Sequence, residues 1–211
     1  MKLTWDEAGT RQYETGISMA VLYPPTGDGV AWNGMIAVNF NPEGGETSPI
    51  YANNVKIAET VSIQDFSGDI EVFTVPKEFA PCEGSRVPVR GVFVSMQKKL
   101  RFGLSYRTKL GDDIHGEDYA YKLHIHYGCL VQSQSEIYAT MNEQPEIIHH
   151  KFKFTSLPVK SQNMPPLTYI CLDSSVIPAE KFNVLNTILY GTEVSEPRLP
   201  SPDEIAAILT S

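Results

Sequence analysis

The stretch RFGLSYRTKL GDDIHGEDYA YKLHIHYG, Arg101 to Gly128, decides the fold class. Phe102, Leu104 and Tyr106 alternate with Arg101, Ser105 and Arg107. Farther on, Tyr119, Tyr121, Leu123, Ile125 and Tyr127 alternate with Lys122, His124 and His126. A period of two puts successive side chains on opposite faces of extended chain, so two strands are predicted, each with one packed and one wet face. Between them Lys109 to Asp118 holds two Gly and four carboxylates and reads as an exposed loop. A hairpin alone is marginal in water, so further strands must cover its apolar side.

The rest of the chain supplies them. Its 211 residues suit a single domain, and 15 Gly and 15 Pro among many β-branched and aromatic residues favour a turn-rich β protein. The net charge of −8 argues against nonspecific nucleic-acid binding, since little in the sequence would neutralise phosphates. Lys98, Lys99 and Arg101 read as a solvated strand edge. Cys82, Cys129 and Cys171 show no CxxC spacing and suit reduced thiols in a protein made in the cytoplasm. The first residues lack the apolar core of a signal peptide, and no apolar run approaches the ~18 residues of a membrane span.

In chain order, residues 1–16 read as an N-terminal arm with Trp5 and Tyr13 as anchors. Ile17 to Tyr23 predicts a strand, and Asn33-Gly34 predicts either a hairpin turn or a bulge within one longer strand. Residues 41–54, NPEGGETSPIYANN, carry too many Gly, Pro and Asn for a regular element, and so long a loop tends to be functional. Val55 to Ile63 and Ile70 to Val75 read as strands parted by a turn at Asp65 to Asp69. Val87 to Met96 reads as a strand that Pro88 confines to an edge or a strand start. After Gly128 the chain turns polar, then Ile148, His150, Phe152 and Phe154 mark another strand, as does Leu167 to Leu172.

Two helices are expected, both late. Pro178 opens one with Phe182, Leu185, Ile188 and Leu189 on one face, and Gly191 stops it. Within a C-terminal arm, residues 192–211, Ser201-Pro202-Asp203-Glu204 forms a capping box before a short apolar helix. That helix cannot stand alone and must dock, a neighbouring subunit being one candidate surface.

Catalytic motifs are absent. There is no GxSxG, P-loop or GxGxxG. His124 and His126 are spaced to share a metal, but no third ligand has a fixed spacing. Tyr106, Tyr119, Tyr121 and Tyr127 could form a sugar platform, although aromatic strand faces more often pack in a core or an interface.

An ordered set of motifs takes the argument further. YETGIS (residues 13–18), VLYP (21–24), GVAWNG (29–34) and NPEGGE (41–46) come first. PKEFA (76–80), FGLSYRT (102–108), the Tyr119 to His124 segment and LPSPDEI (199–205) follow. The chain resembles the major tail, or tail tube, proteins of long-tailed bacteriophages of Gram-positive hosts over nearly its whole length. The resemblance implies a β-sandwich or open barrel with a flanking α-helix. It implies hexameric rings of identical subunits that stack into a tube through a long loop and terminal arms. The expected stacking loop holds Asn41, Pro42, Glu43, Gly44, Gly45, Glu46, Tyr51 and Asn54; the expected interface arms hold Trp5, Tyr13, Pro202, Ile205, Ile208 and Leu209. It further implies tape-measure, tail-tip and terminator partners, DNA passing through the lumen without specific binding, and no enzymatic activity, cofactor or membrane. The expected location is the virion tail, after assembly in the host cytoplasm.

Two other classes stay open. One is a carbohydrate-binding module of a phage adhesion device, which needs a concave aromatic surface. The other is a metal-dependent β-barrel enzyme using His124 and His126. Within the structural class, distal-tail and head-completion proteins share tube-like folds.

Overall fold

The hairpin at Arg101 to Gly128 forms, but its faces are not those the sequence suggests. The computed structural model describes residues 3–62, 64–132 and 149–210. The polar connection beyond Gln132 and the apolar position Ile148 lie outside these residues, as do Met1, Lys2, Ile63 and Ser211. In chain order the first strands are β1 (Gln12–Tyr23), β2 (Val30–Ala31), β3 (Met35–Phe40), β4 (Glu43–Gly44), β5 (Thr47–Ala52), β6 (Val55–Val61) and β7 (Gln64–Val72). A short helix, α1 (Ala80–Glu83), precedes β8 (Arg86–Val89), β9 (Val92–Val94), β10 (Phe102–Asp112) and β11 (Gly116–Val131). Then come β12 (His150–Ser156), β13 (Tyr169–Asp173), α2 (Ala179–Tyr190) and α3 (Pro202–Thr210).

The protein is mainly β, built on one large antiparallel sheet with a few helices. The sheet runs β2-β1-β10-β11-β12-β7-β3, with β13 also on β11 and β4 also on β7. It does not close, yet β2 and β3 stand at its two ends and only Trp32 to Gly34 separates them in sequence. So short a link forces the sheet to curl until its ends adjoin. Asn33-Gly34 is therefore neither a hairpin turn nor a bulge; it carries the chain from one end of the sheet to the other. Trp32 anchors the crossing, its indole donating to the Thr74 carbonyl at 2.9 Å.

Both faces of the central hairpin are buried. Leu104 lies opposite His126 and Tyr106 opposite His124, whereas Ser105 lies opposite Ile125 and Arg107 opposite Leu123. Cross-strand partners share a face, so the apolar side of β10 adjoins the polar side of β11, and neither face of the hairpin stays wet. One face joins Leu22, Trp32, Ile70, Phe79, Phe152 and Phe154 in a core between the two halves of the curled sheet. The other, with Leu123, Ile125 and Tyr127, is covered by Phe182, Leu185 and Leu189 of α2 and Ile205 of α3. Several polar groups on this helix side find partners there, although Arg107 Nε and the Tyr190 hydroxyl are buried without one. The Tyr23 hydroxyl donates to the Leu189 carbonyl and accepts from Ser105, each at 3.0 Å. Arg107 lies over the rings of Tyr121 and Tyr190 and donates to Asn186 Oδ1 at 2.6 Å.

Several segments differ from expectation for local reasons. The exposed loop shrinks to a turn at Asp113 to His115, because the buried Asp112 carboxylate accepts from the Ile114 and His115 amides. The expected turn at Asp65 to Asp69 lies inside β7, where Gly68 is required because a Cβ would strike the Asn39 carbonyl and the Phe154 ring. Val87 to Met96 is not one strand but the hairpin β8–β9, turning at Arg90-Gly91 with Gly91 at φ +86. The rigid connection after Pro76 holds a helical turn that drives Phe79 and Cys82 fully into the core.

The late helices form where expected, and α2 ends at Gly191 as predicted. Ser201 caps α3 through the Glu204 amide at 3.2 Å. The Glu204 carboxylate does not complete the capping box; it binds the Arg198 guanidinium through both oxygens instead. Docking of α3 is met by its own chain: Ile205 is 2% exposed, and Ile208 and Leu209 pack on the same core. Ile205→Ala should therefore lower the stability of the single chain by roughly 2–5 kcal/mol, read from urea unfolding in dilute solution. A loss below about 0.5 kcal/mol would return α3 to the role of a free arm.

Candidate functional site

The segment expected to be an irregular loop is a projecting β-hairpin. Asn41 pins its base to β7, its amide donating to the Ser67 carbonyl at 2.9 Å. Pro42 follows exposed, and the Glu43-Gly44 backbone forms β4 against Asp65 and Gln64. After Gly45, at φ +72, the Glu46 carbonyl accepts from the Ser62 amide at 2.9 Å and closes the base of β5–β6. Asn53 and Asn54, at φ 50 and φ 65, form the tip, because a two-residue turn matching strand twist needs positive φ at both positions and Asn tolerates it. That pair was the signal in the sequence for a hairpin rather than a loop. Pro49 fits because its strand has only one neighbour.

Every residue of β5 and β6 is exposed, including Ile50, Tyr51, Val55, Ile57 and Val61, and Tyr51 and Val61 are each 65% exposed. The hairpin reaches roughly 20 Å beyond its base at strand rise. A two-stranded ribbon with apolar residues on show is marginal alone in water, and contiguous exposed apolar surface marks an interaction site.

The arms are shorter than expected. Pairing of Gln12 to Thr15 with β10 makes the second half of the N-terminal arm part of β1, and the Tyr13 ring lies against Gly111. Trp5 remains 75% exposed. Pro202, Ile205, Ile208 and Leu209 lie on or beside the core of their own chain.

A polar cluster missed by sequence reasoning lies where β1 faces β3 across the gap in the sheet. A cleft of about 590 Å³ there is lined by Glu14, Thr108, Lys122, His124, Tyr169 and Cys171, with Val38 and Phe40 opposite. Thr108 donates to Glu14 Oε1 at 2.6 Å, so it accepts from His124 Nε2 at 2.7 Å. His124 Nδ1 then accepts from the Tyr169 hydroxyl at 2.8 Å, and Lys122 binds Glu14 Oε2 at 2.6 Å. Burial lowers the His124 pKa against the pull of Glu14, which keeps the imidazole neutral. For Glu14 burial acts upward, but Lys122 and Thr108 outweigh it and hold the carboxyl below its ordinary range. The cluster ties the start of β1 to β10, β11 and β13.

His126 sits deeper, stacked against Phe40 at 4.7 Å and Tyr169 at 4.8 Å, two rings that also touch each other at 5.5 Å, and neither ring nitrogen has a hydrogen-bond partner. His124 and His126 do share a strand face, but the nitrogens of His124 are engaged by Thr108 and Tyr169. Among the described residues, no group of three or more His, Cys, Asp or Glu could hold a metal ion. Tyr106 and Tyr127 are buried, and Tyr121 lies beneath Arg107 and against Phe182, so these rings do not form an open sugar platform.

No protein-family model matches the chain, and no curated protein matches it. No helix among the described residues is long and apolar enough to cross a membrane.

Burial pushes the His126 imidazole down to about 3, from an ordinary 6.5. A group depressed in this way contributes stability fully above pH 6.5, and that stability is lost as pH falls from 6.5 toward 3, at up to about 1.4 kcal/mol per pH unit. His126→Phe keeps the ring stacking without a titrating group. Its urea midpoint should fall less than wild type between pH 7 and pH 5. An identical fall in both proteins would contradict this placement of His126.

Proposed function

We propose that the chain is a structural subunit that assembles with copies of itself into hexameric rings stacked as the tail tube of a long-tailed bacteriophage, the conduit for DNA ejection. The observation that carries this reading is the β5–β6 hairpin, held at its base and exposed along its full length with Ile50, Tyr51, Ile57 and Val61 on show. A lone domain gains nothing from such an element; a stacking subunit needs one. Residues 41–54, the expected stacking loop, run through β4 and β5 to the tip of this hairpin, with Tyr51 and Asn54 close to the turn.

Three further features support the reading. The large sheet stays open, and the two strands at its ends keep free edges that could pair with neighbours, which is compatible with the expected sandwich or open barrel. Trp5 projects from the N-terminal arm. The net charge of −8 suits a lumen through which DNA slides rather than binds. In this role the subunit works without a catalytic step or cofactor. Its other partners are tape-measure, tail-tip and terminator proteins, and its place is the virion tail after assembly in the host cytoplasm.

The test is negative-stain microscopy of the full chain across a concentration series, beside a variant in which residues 47–61 are replaced by a short Gly-Ser link. Wild type should give stacked rings or hollow tubes, and the variant should melt within about 2 °C of wild type yet form no tubes. Tubes from the variant would remove the stacking role of the hairpin. Uniform monomers from wild type at every concentration would remove the assembly reading.

A further inference from the structure

A second hairpin is also left out of the large sheet. β8 and β9 pair only with each other, and Val89, Val92 and Phe93 are exposed, Phe93 to 69%. Its charge sets it apart from the rest of the chain. Residues 85–101 carry Arg86, Arg90, Lys98, Lys99 and Arg101 and not one carboxylate. Taking that +5 from the net −8 leaves the remaining chain at −13. Lys99 and Arg101 turn back onto the Val131 and Gly128 carbonyls, so Arg86, Arg90 and Lys98 are the cations that go with the apolar hairpin.

The two lone hairpins also leave the sheet at opposite ends of one strand. β5–β6 is inserted between Phe40 and Gln64, at the start of β7, whereas β8–β9 follows Val72, at its finish. Their charges are opposed as well: the 41–62 segment holds Glu43, Glu46 and Glu59 against Lys56 alone. Two different apolar surfaces, at opposite ends and of opposite sign, suit a heterologous head-to-tail contact, which propagates rather than closing on itself.

From this we infer that the basic β8–β9 hairpin of one copy docks on the acidic β5–β6 hairpin of the next copy along the assembly axis. This rests on the assembly reading above and names the surface that receives its stacking hairpin. Arg86 and Arg90 face Glu46 and Glu59 across the contact, while Val89 and its cross-strand partner Val92, which share a face, cover the apolar side of β6. A nucleic-acid partner would use the same cations but would leave the valines exposed, and it is therefore disfavoured.

The experiment uses three full-length proteins beside wild type: R86E/R90E, E46K/E59K, and the four substitutions combined. Assembly is followed by sedimentation velocity and negative stain, with melting as the check on folding. Each double variant should raise the concentration for half-assembly at least tenfold, and the combined variant should restore it to within about threefold of wild type. Assembly of R86E/R90E at the wild-type concentration would overturn the inference while leaving the assembly reading intact. Failure of the combined variant to regain assembly would overturn the pairing of the two hairpins. Binding of a DNA duplex by wild type that R86E/R90E loses, with assembly unchanged, would reassign the hairpin to nucleic acid. A wild type that never assembles would overturn the assembly reading and this inference together.

Discussion

The pairing of Leu104 with His126 and of Tyr106 with His124 constrains everything else in the molecule. It sets the apolar side of one central strand beside the polar side of the other, so each face of the hairpin is mixed. A mixed face cannot be left in water without exposing Leu and Phe, nor buried in hydrocarbon without stranding polar groups. The chain answers on both sides. The curled half of the sheet covers Phe102, Leu104 and Tyr106, and His126 packs against the rings of Phe40 and Tyr169 with both nitrogens left unpartnered. On the helix side, α2 receives Ser105 and Arg107 through Tyr23, Asn186 and two tyrosine rings.

Covering both faces has a consequence for function. Most apolar residues of β10, β11, β12, α2 and α3 are occupied inside the chain's own core, which α3 in particular helps to close. The longest runs of exposed apolar residues lie on two hairpins that pair with nothing in their own chain's large sheet, while others, such as Trp5, Val176 and Val194, are scattered singly. A division between a closed core and open ribbons is what an assembling subunit requires, since the fold must be complete before a neighbour arrives. The cleft cluster around Glu14 and His124 belongs to the same division: it fastens β1 to the core and leaves Trp5 beyond it.

The period-two pattern of the central hairpin, the stop of α2 at Gly191 and the Ser201 cap were legible in the sequence, because each depends on neighbours close along the chain. The partnership of the two strand faces was not, since register is set by a bulge near Gly103 and by packing from β7 and α2. Gly68 read as a turn residue, although its role is a close approach to Asn39 and Phe154, which no local signal carries. Residues 41–54 read as a loop on composition; Asn53-Asn54 held the contrary signal but lay among other turn formers. Phe79 and Cys82 lie in a stretch punctuated by Pro76, Pro81 and Gly84, which gives no local sign that both enter the core. Residues 41–54 stood out in the sequence by composition, but the continuation of that exposed ribbon through β6 and the apolar hairpin β8–β9 were not legible, because both depend on pairing.

Hydrogen–deuterium exchange of the full chain, dilute and concentrated, tests the central claim most directly. The claim is that the core is complete within one subunit and that the exposed hairpins await another copy. It predicts that amides of β10 and β11 are protected at both concentrations, whereas amides of β5, β6, β8 and β9 exchange rapidly when dilute and slow markedly when concentrated. Slow exchange in those hairpins in the dilute monomer, or fast exchange at every concentration, would contradict it.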